Sequence, residues 1–220
     1  MKHRLVFALS ALLALLSLAP QRTQAQGFEV GVRDGMSLSW LVGIDDTLPQ
    51  ASFYAGFTGN YFFDQNWGVG VDVTLSEQGA LCKKNTQGVT MDYMYHYLNI
   101  PILLQYQHDL GMGHRLRFMA GAQLGIFLAA RYDYTAPSIT GEGVVSGGEV
   151  ISREEFHPFD VGVSAGVQWL VGDYTAVELR YTLGVTQTHN GISNTHNGHH
   201  YISVPDNRNS VLQIGTVFLF

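Results

Sequence analysis

Apolar and polar residues alternate with a period of two through most of the chain, in runs bounded by Gly, Asn, Asp and Pro, the pattern of strands with two unlike faces. Eight runs carry it, at residues 28–40, 52–63, 67–78, 93–107, 115–131, 156–170, 175–186 and 210–220. Successive side chains on a strand point to opposite sides, so each run divides into two faces. Val177, Leu179, Tyr181, Leu183 and Val185 share one face, against Ala176, Glu178, Arg180, Thr182 and Gly184 on the other. Phe159, Val161, Val163, Ala165, Val167 and Trp169 likewise oppose Asp160, Gly162, Ser164, Gly166 and Gln168. Trp67, Val69, Val71, Val73 and Leu75 oppose Gly68, Gly70, Asp72, Thr74 and Ser76. Asp34 breaks the rule: it falls on the apolar face set by Phe28, Val30 and Val32, and a bulge near Gly35 is expected to repair the register. Pro101 cannot donate a ladder bond and is also expected at a bulge.

The connections after the second, fourth and sixth runs are short, at 64–66, 108–114 and 171–174. Those after the first, third, fifth and seventh are long and polar, at 41–51, 79–92, 132–155 and 187–209. A soluble sandwich has no reason to gather every long loop at one end, whereas outer-membrane barrels combine short periplasmic turns with longer extracellular loops. The expected fold is therefore all-β, an eight-stranded antiparallel up-and-down transmembrane β-barrel with both termini in the periplasm. Tyr61, Phe63, Trp67, Trp169, Tyr174 and Phe220 lie near the short-turn ends of their runs, where an interfacial aromatic girdle belongs.

The polar face is mostly Gly, Ser, Thr and Gln, with few charges, and those balance: Glu29, Asp72, Asp160 and Glu178 against Arg33, Arg115, Arg117 and Arg180. Such a set suits an interior ion-pair network, because the lumen of an eight-stranded barrel is just wide enough for side chains and a buried charge must be paired.

Residues 5–19 form an apolar run with Lys2 and Arg4 before it and polar residues after it, the layout of a secretory signal peptide. Thr23 and Ala25 occupy the −3 and −1 places of a cleavage site, giving a signal peptide at 1–25 and a barrel domain at 26–220. No second apolar stretch of helical length follows, which argues against a helical membrane protein. Loss of Lys2, Arg4 and Arg22 leaves 9 of the 12 basic residues against 18 acidic ones, so the net charge moves from −6 to −9 and nucleic acid is not an expected partner. The single cysteine, Cys82, excludes an internal disulfide and is placed as a free thiol in a long loop.

The stretch Tyr97-Leu98-Asn99-Ile100-Pro101-Ile102-Leu103-Leu104-Gln105-Tyr106 resembles the "YLxIPxLLxY" strand of the PorT-like outer-membrane β-barrel family. Asp160, Gly162 and Gly166 resemble its "DxGxxxG" strand, Arg180–Gly184 its "RYxxGL" strand, and Phe220 the C-terminal aromatic of outer-membrane barrels. Asn99 stands where the family commonly has Glu, and Val185 near its Leu-Thr. The resemblance spans the mature chain and implies a location more firmly than an activity; some relatives serve protein secretion or gliding.

Candidate chemistry is sparse. His189, His196, His199 and His200 cluster in the last long loop and could bind Zn or Cu, though no known ligand spacing is present and a solvated loop is the simpler reading. Residues 141–148 are Gly-rich but lack the Lys-Ser/Thr of a phosphate loop, and are read as a flexible lobe. Asp133, Glu142, Glu149, Glu154 and Glu155 read as a solvated acidic surface. His157 and His189 show no Ser and carboxylate at a readable spacing, so neither catalysis nor a cofactor is expected. The expected role is structural or interactive, through the long loops, with outer-membrane lipid and other envelope or secretion proteins as partners. A small-solute porin and a soluble lipocalin-like ligand-binding barrel are the alternatives.

Overall fold

Strand β1 (Phe28–Val42) pairs on one side with β2 (Thr47–Phe62) and on the other with β11 (Arg208–Leu219), so the two ends of the chain meet. The computed structural model describes residues 27–42, 47–82, 90–137, 144–151, 157–187, 193–196, 199–203 and 208–220. The segment 1–25, with Thr23 and Ala25, lies outside them, as do His189, Glu142, Glu154 and Glu155.

From β2 the sheet continues antiparallel through β3 (Trp67–Cys82), β4 (Thr90–Gly111) and β5 (His114–Pro137). Strand β5 then pairs with β7 (Phe159–Val171), β7 with β8 (Thr175–Gly184), and β8 with β11. Among the described residues this is a closed ring of eight antiparallel strands, with no free edge to leave backbone groups unpaired in hydrocarbon.

The short turns are locally encoded. The Asp64 carboxylate accepts hydrogen bonds from the backbone N–H of Asn66 (2.7 Å) and Trp67 (2.6 Å), an Asx turn. Between β4 and β5, Gly111, Met112 and Gly113 all have positive φ (80°, 55° and 77°), so glycines flank the one residue that bears the strain.

The apolar faces point outward. Val71, Val73, Ile102, Leu104, Val163 and Leu179 are all exposed, whereas Arg33, Arg117, Glu178 and Arg180 are 2% exposed or less. This overturns the soluble lipocalin-like alternative, which needs the opposite polarity: so continuous an apolar wall is tolerable against lipid and not in water. At the short-turn end the lumen has an apolar floor of Leu170, Ala176, Val217 and Leu219.

Several sequence expectations need correction. No bulge occurs at Gly35: β1 stays in unbroken register with both neighbours through Asp34 and Gly35, and Asp34 is exposed on the outer face. Nor does Pro101 make one, because the β3 register is the same on either side of it and Pro101 faces Gln123 of β5 without a slip. The β4–β5 register shifts at His96/Tyr97 and at Asp109/Gly111 instead, and β2–β3 shifts between Pro49 and Tyr54. The fourth and fifth strands also run past their expected outer ends at Tyr93 and Arg131, to Thr90 and Pro137. Part of the expected flexible lobe is strand β6 (Val144–Ile151), which pairs with the outer half of β5. Cys82 ends β3 opposite Met91 and does not lie in a loop. The last long loop contains a hairpin, β9 (Ser193–His196) with β10 (His199–Ser203).

Candidate functional site

Inward positions on β1, β3 and β8 bring four charges together in the middle of the lumen. Arg33 binds the carboxylates of both Asp72 and Glu178. Arg180 spans the same two, with Nη1 2.6 Å from Asp72 and Nη2 3.1 Å from Glu178. Two cations and two anions thus alternate around a closed, neutral quartet, which is how charges survive burial: each attraction offsets the loss of hydration on both partners. The Arg33 guanidinium also lies over the Tyr54 ring, 5.0 Å from its centroid.

A second group sits nearer the short turns. Arg117 Nη2 lies 2.8 Å from Glu29, and the Arg117 guanidinium rests 4.7 Å from the Phe62 ring centroid. Arg115 lies 4.0 Å from Glu29 and 3.3 Å from Asp173 in the β7–β8 turn. Gln168 joins the two groups, accepting from Arg117 (3.3 Å) and donating to Glu178 (2.6 Å). Strand β1 is four strands from β5 in either direction around the ring, so the Glu29–Arg117 bond ties opposite walls together.

Seven of the eight charged residues picked from the sequence are therefore linked. Asp160 stands apart near the start of β7, at the long-loop end, accepting from the Thr186 hydroxyl (2.6 Å) and the Asn209 amide (3.1 Å). The neutral connectors were missed: Gln168, Gln107, which accepts from Arg117 at 2.9 Å, and the Gln105–Asn60 pair at 2.7 Å. Their signal was parity, since all occupy inward positions. Gly70 makes room for the last pair, because a Cβ there would come within 2.0 Å of Gln105 Nε2.

Of the histidine candidates, His196 and His199 are register partners closing the β9–β10 hairpin, and His200 pairs with Thr195. Among the described residues no group of three or more His, Cys, Asp and Glu side chains is placed to hold a metal ion.

Outside the lumen, β4 and β5 remain paired beyond the lipid-facing belt, out to Thr90 and Thr135, with β3 beside β4 as far as Cys82↔Met91 and β6 beside β5. On this ribbon Asp92 and Asp133 are register partners, and Arg131 pairs with Asp133 at 2.9 Å. Partial burial, and then the neighbouring Asp133 charge, raise the Asp92 carboxyl above its ordinary value. Towards the long-loop end of the belt, a cleft of about 380 Å³ is lined by Phe53, Leu75, Ser76, Glu77, His96, Tyr97 and Leu128, with His96 3.9 Å from Glu77. Within the belt, Asp34 is an outward carboxylate held only by its register partner Thr216, whose hydroxyl donates at 2.9 Å, among the described residues. A charged residue facing lipid at mid-bilayer costs about 2–4 kcal/mol for Arg or Lys and less for Asp.

A family model described as outer membrane protein beta-barrel domain matches residues 21–190. No curated protein matches the sequence. Similar solved structures include the attachment invasion locus protein Ail of Yersinia pestis, at 11% identity and a TM-score of 0.43, covering 90% of this chain and 100% of that one. Neisserial surface protein A is similar at 13% identity and a TM-score of 0.42, covering 90% and 100%. The outer membrane protein OprG of Pseudomonas aeruginosa is similar at 13% identity and a TM-score of 0.39, covering 88% and 94%.

Proposed function

The chain belongs to the outer membrane protein β-barrel domain family, and from that membership we propose that it is a closed, non-conducting, non-catalytic barrel displaying an extracellular ribbon to another envelope or secretion protein. The observation that carries this reading is the filled lumen. The Glu29–Arg117 bond between opposite walls, the neutral quartet beside it and the apolar floor beneath leave side chains where a solute path would run. A pore lining would need unpaired polar groups facing water, whereas these arginines are each engaged by carboxylates.

The partner-facing role rests on strand length. A membrane β-strand needs about 9–11 residues, and β4 and β5 have 22 and 24. The excess, flanked by β6 on one side and by the end of β3 as far as Cys82↔Met91 on the other, forms a ribbon whose backbone is already ordered by pairing, which lowers the entropy lost on binding. The motifs at 97–106, 160–166 and 180–184 favour a PorT-like member of the family. In this reading 1–25 is a removable signal peptide, and the termini lie in the periplasm with the short turns.

Two measurements test it. Purified protein in planar bilayers gives no steady conductance; ohmic conductance would refute the plug. In a Cys82→Ser background, Ser146→Cys on β6 reacts with an impermeant maleimide in intact cells. Labelling only after lysis would reverse the orientation and remove the ribbon from the cell surface.

A further inference from the structure

Asp34 occupies an unusual depth. Phe28 and Trp40 also face outward on β1, six residues to either side of it. At about 3.3 Å per residue and a tilt near 40°, that separation spans about 30 Å, the hydrocarbon thickness of a bilayer. Trp40 stacks on outward Tyr181, with centroids 6.1 Å apart, and the Tyr181 hydroxyl bonds the Ser210 hydroxyl at 2.8 Å, which fits the outer interface. Asp34 is thus at mid-belt, too deep for its short side chain to reach water. Its surroundings there are Ala55 of β2, Thr216 of β11 and the apolar Val32, Met36, Phe57 and Ile214.

We propose that this β1–β11 face is the contact between two copies of the chain in the membrane, related by a two-fold axis along the membrane normal. Such an axis preserves depth, so a residue at mid-belt in one copy meets mid-belt residues of the other. Asp34 and Thr216 together are self-complementary. Thr216 holds one carboxylate oxygen of Asp34, and the partner subunit's Asp34 meets the other by sharing a proton between the two carboxyls, the stable state of two carboxyl groups at one site. In a monomer the carboxylate has one threonine hydroxyl and otherwise faces lipid, whereas in a dimer it is removed from lipid and bonded on both oxygens. The alanine at position 55 and the apolar neighbours let the two walls approach closely.

The test measures association of the full chain in phosphatidylcholine vesicles, by single-molecule photobleaching across a series of protein-to-lipid ratios. The wild type is expected to dimerise. Asp34→Asn, which still both donates and accepts, stays within about threefold of the wild-type association constant, and Asp34→Leu weakens it by about tenfold or more. In a Cys82→Ser background, Met36→Cys forms an oxidative cross-link between copies and Ala122→Cys, on the opposite strand β5, does not. Asp34→Leu is also expected to raise the unfolding midpoint when the chain is dilute enough to be monomeric, which separates loss of contact from loss of fold. A monomeric wild type, or an Asp34→Leu variant as dimeric as the wild type, overturns the proposal.

Discussion

Replacing Arg180 with Met probes the quartet directly, because Met has a similar length and no charge. In the folded barrel Arg180 is 2% exposed and is bound to Asp72 at 2.6 Å and to Glu178 at 3.1 Å. Its loss leaves Arg33 alone against two carboxylates, with a net negative charge in a space that excludes water. Breaking one partner out of a buried ion set costs about 3–5 kcal/mol, and unit charges 4 Å apart interact by about 4 kcal/mol at an effective dielectric of 20, so the two estimates agree. Adding Asp72→Asn to Arg180→Met restores neutrality and leaves the Arg33–Glu178 pair intact. The double variant should therefore be more stable than Arg180→Met alone, with a coupling of about 1–3 kcal/mol. The assay is equilibrium unfolding by guanidinium in lipid vesicles, followed by tryptophan fluorescence and by gel mobility without boiling. An Arg180→Met cost below about 1 kcal/mol, or a double variant whose loss equals the sum of the two single losses, refutes the idea of a coupled quartet.

Other perturbations have equally definite outcomes. Gly70→Ala drives a Cβ into the Gln105–Asn60 hydrogen bond and should lower stability by about 1–3 kcal/mol in the same unfolding assay. Because the Asp92 carboxyl is raised, the folded ribbon favours its protonated form, so its contribution to stability is greatest in acid and is lost as pH rises through its raised value. Asp92→Asn should accordingly slow proteolytic nicking of the outer β4–β5 segment at neutral pH and make no difference in acid, where the wild-type carboxyl is already neutral. With cleavage after Ala25 as proposed, the wild type should yield a chain beginning at Gln26 on N-terminal sequencing, and Ala25→Arg should block that processing.

Most of the barrel was legible because period-2 alternation acts locally and the two solvents of an outer-membrane barrel are so unlike. Val177 through Val185 needed only their parity to be placed outside and Glu178 and Arg180 inside. What parity cannot supply is partnership. Arg33 and Glu178 are 145 residues apart and meet because β11 closes the ring between their strands, a fact carried by registry and not by either segment. Asp160 shows the limit: its inward parity was right, but its strand position sets it at the long-loop end, away from the linked arginines and beside Thr186 and Asn209. The glutamines were passed over because a neutral amide gives no charge-balance signal, although Gln168 is what connects the two ionic groups.

Asp34 reverses the lesson. Its misfit with the apolar face was visible in the sequence, and the repair assumed there was a backbone one, a bulge that would turn the carboxylate inward. The continuous register at Asp34↔Ala55 and Asp34↔Thr216 removes that repair and leaves the charge on the lipid side. Inward, the carboxylate would have faced a lumen whose four arginines are already matched by Glu29, Asp72, Glu178 and, at the short-turn end, Asp173, adding an unpaired anion to a low-dielectric interior. Outward, it meets lipid, where a partner can cover it. The cost of a bulge in the first strand would also fall on both of its ladders, including the one with β11 that closes the ring. Keeping the ladder intact and satisfying the side chain from outside the barrel is the arrangement that disturbs closure least.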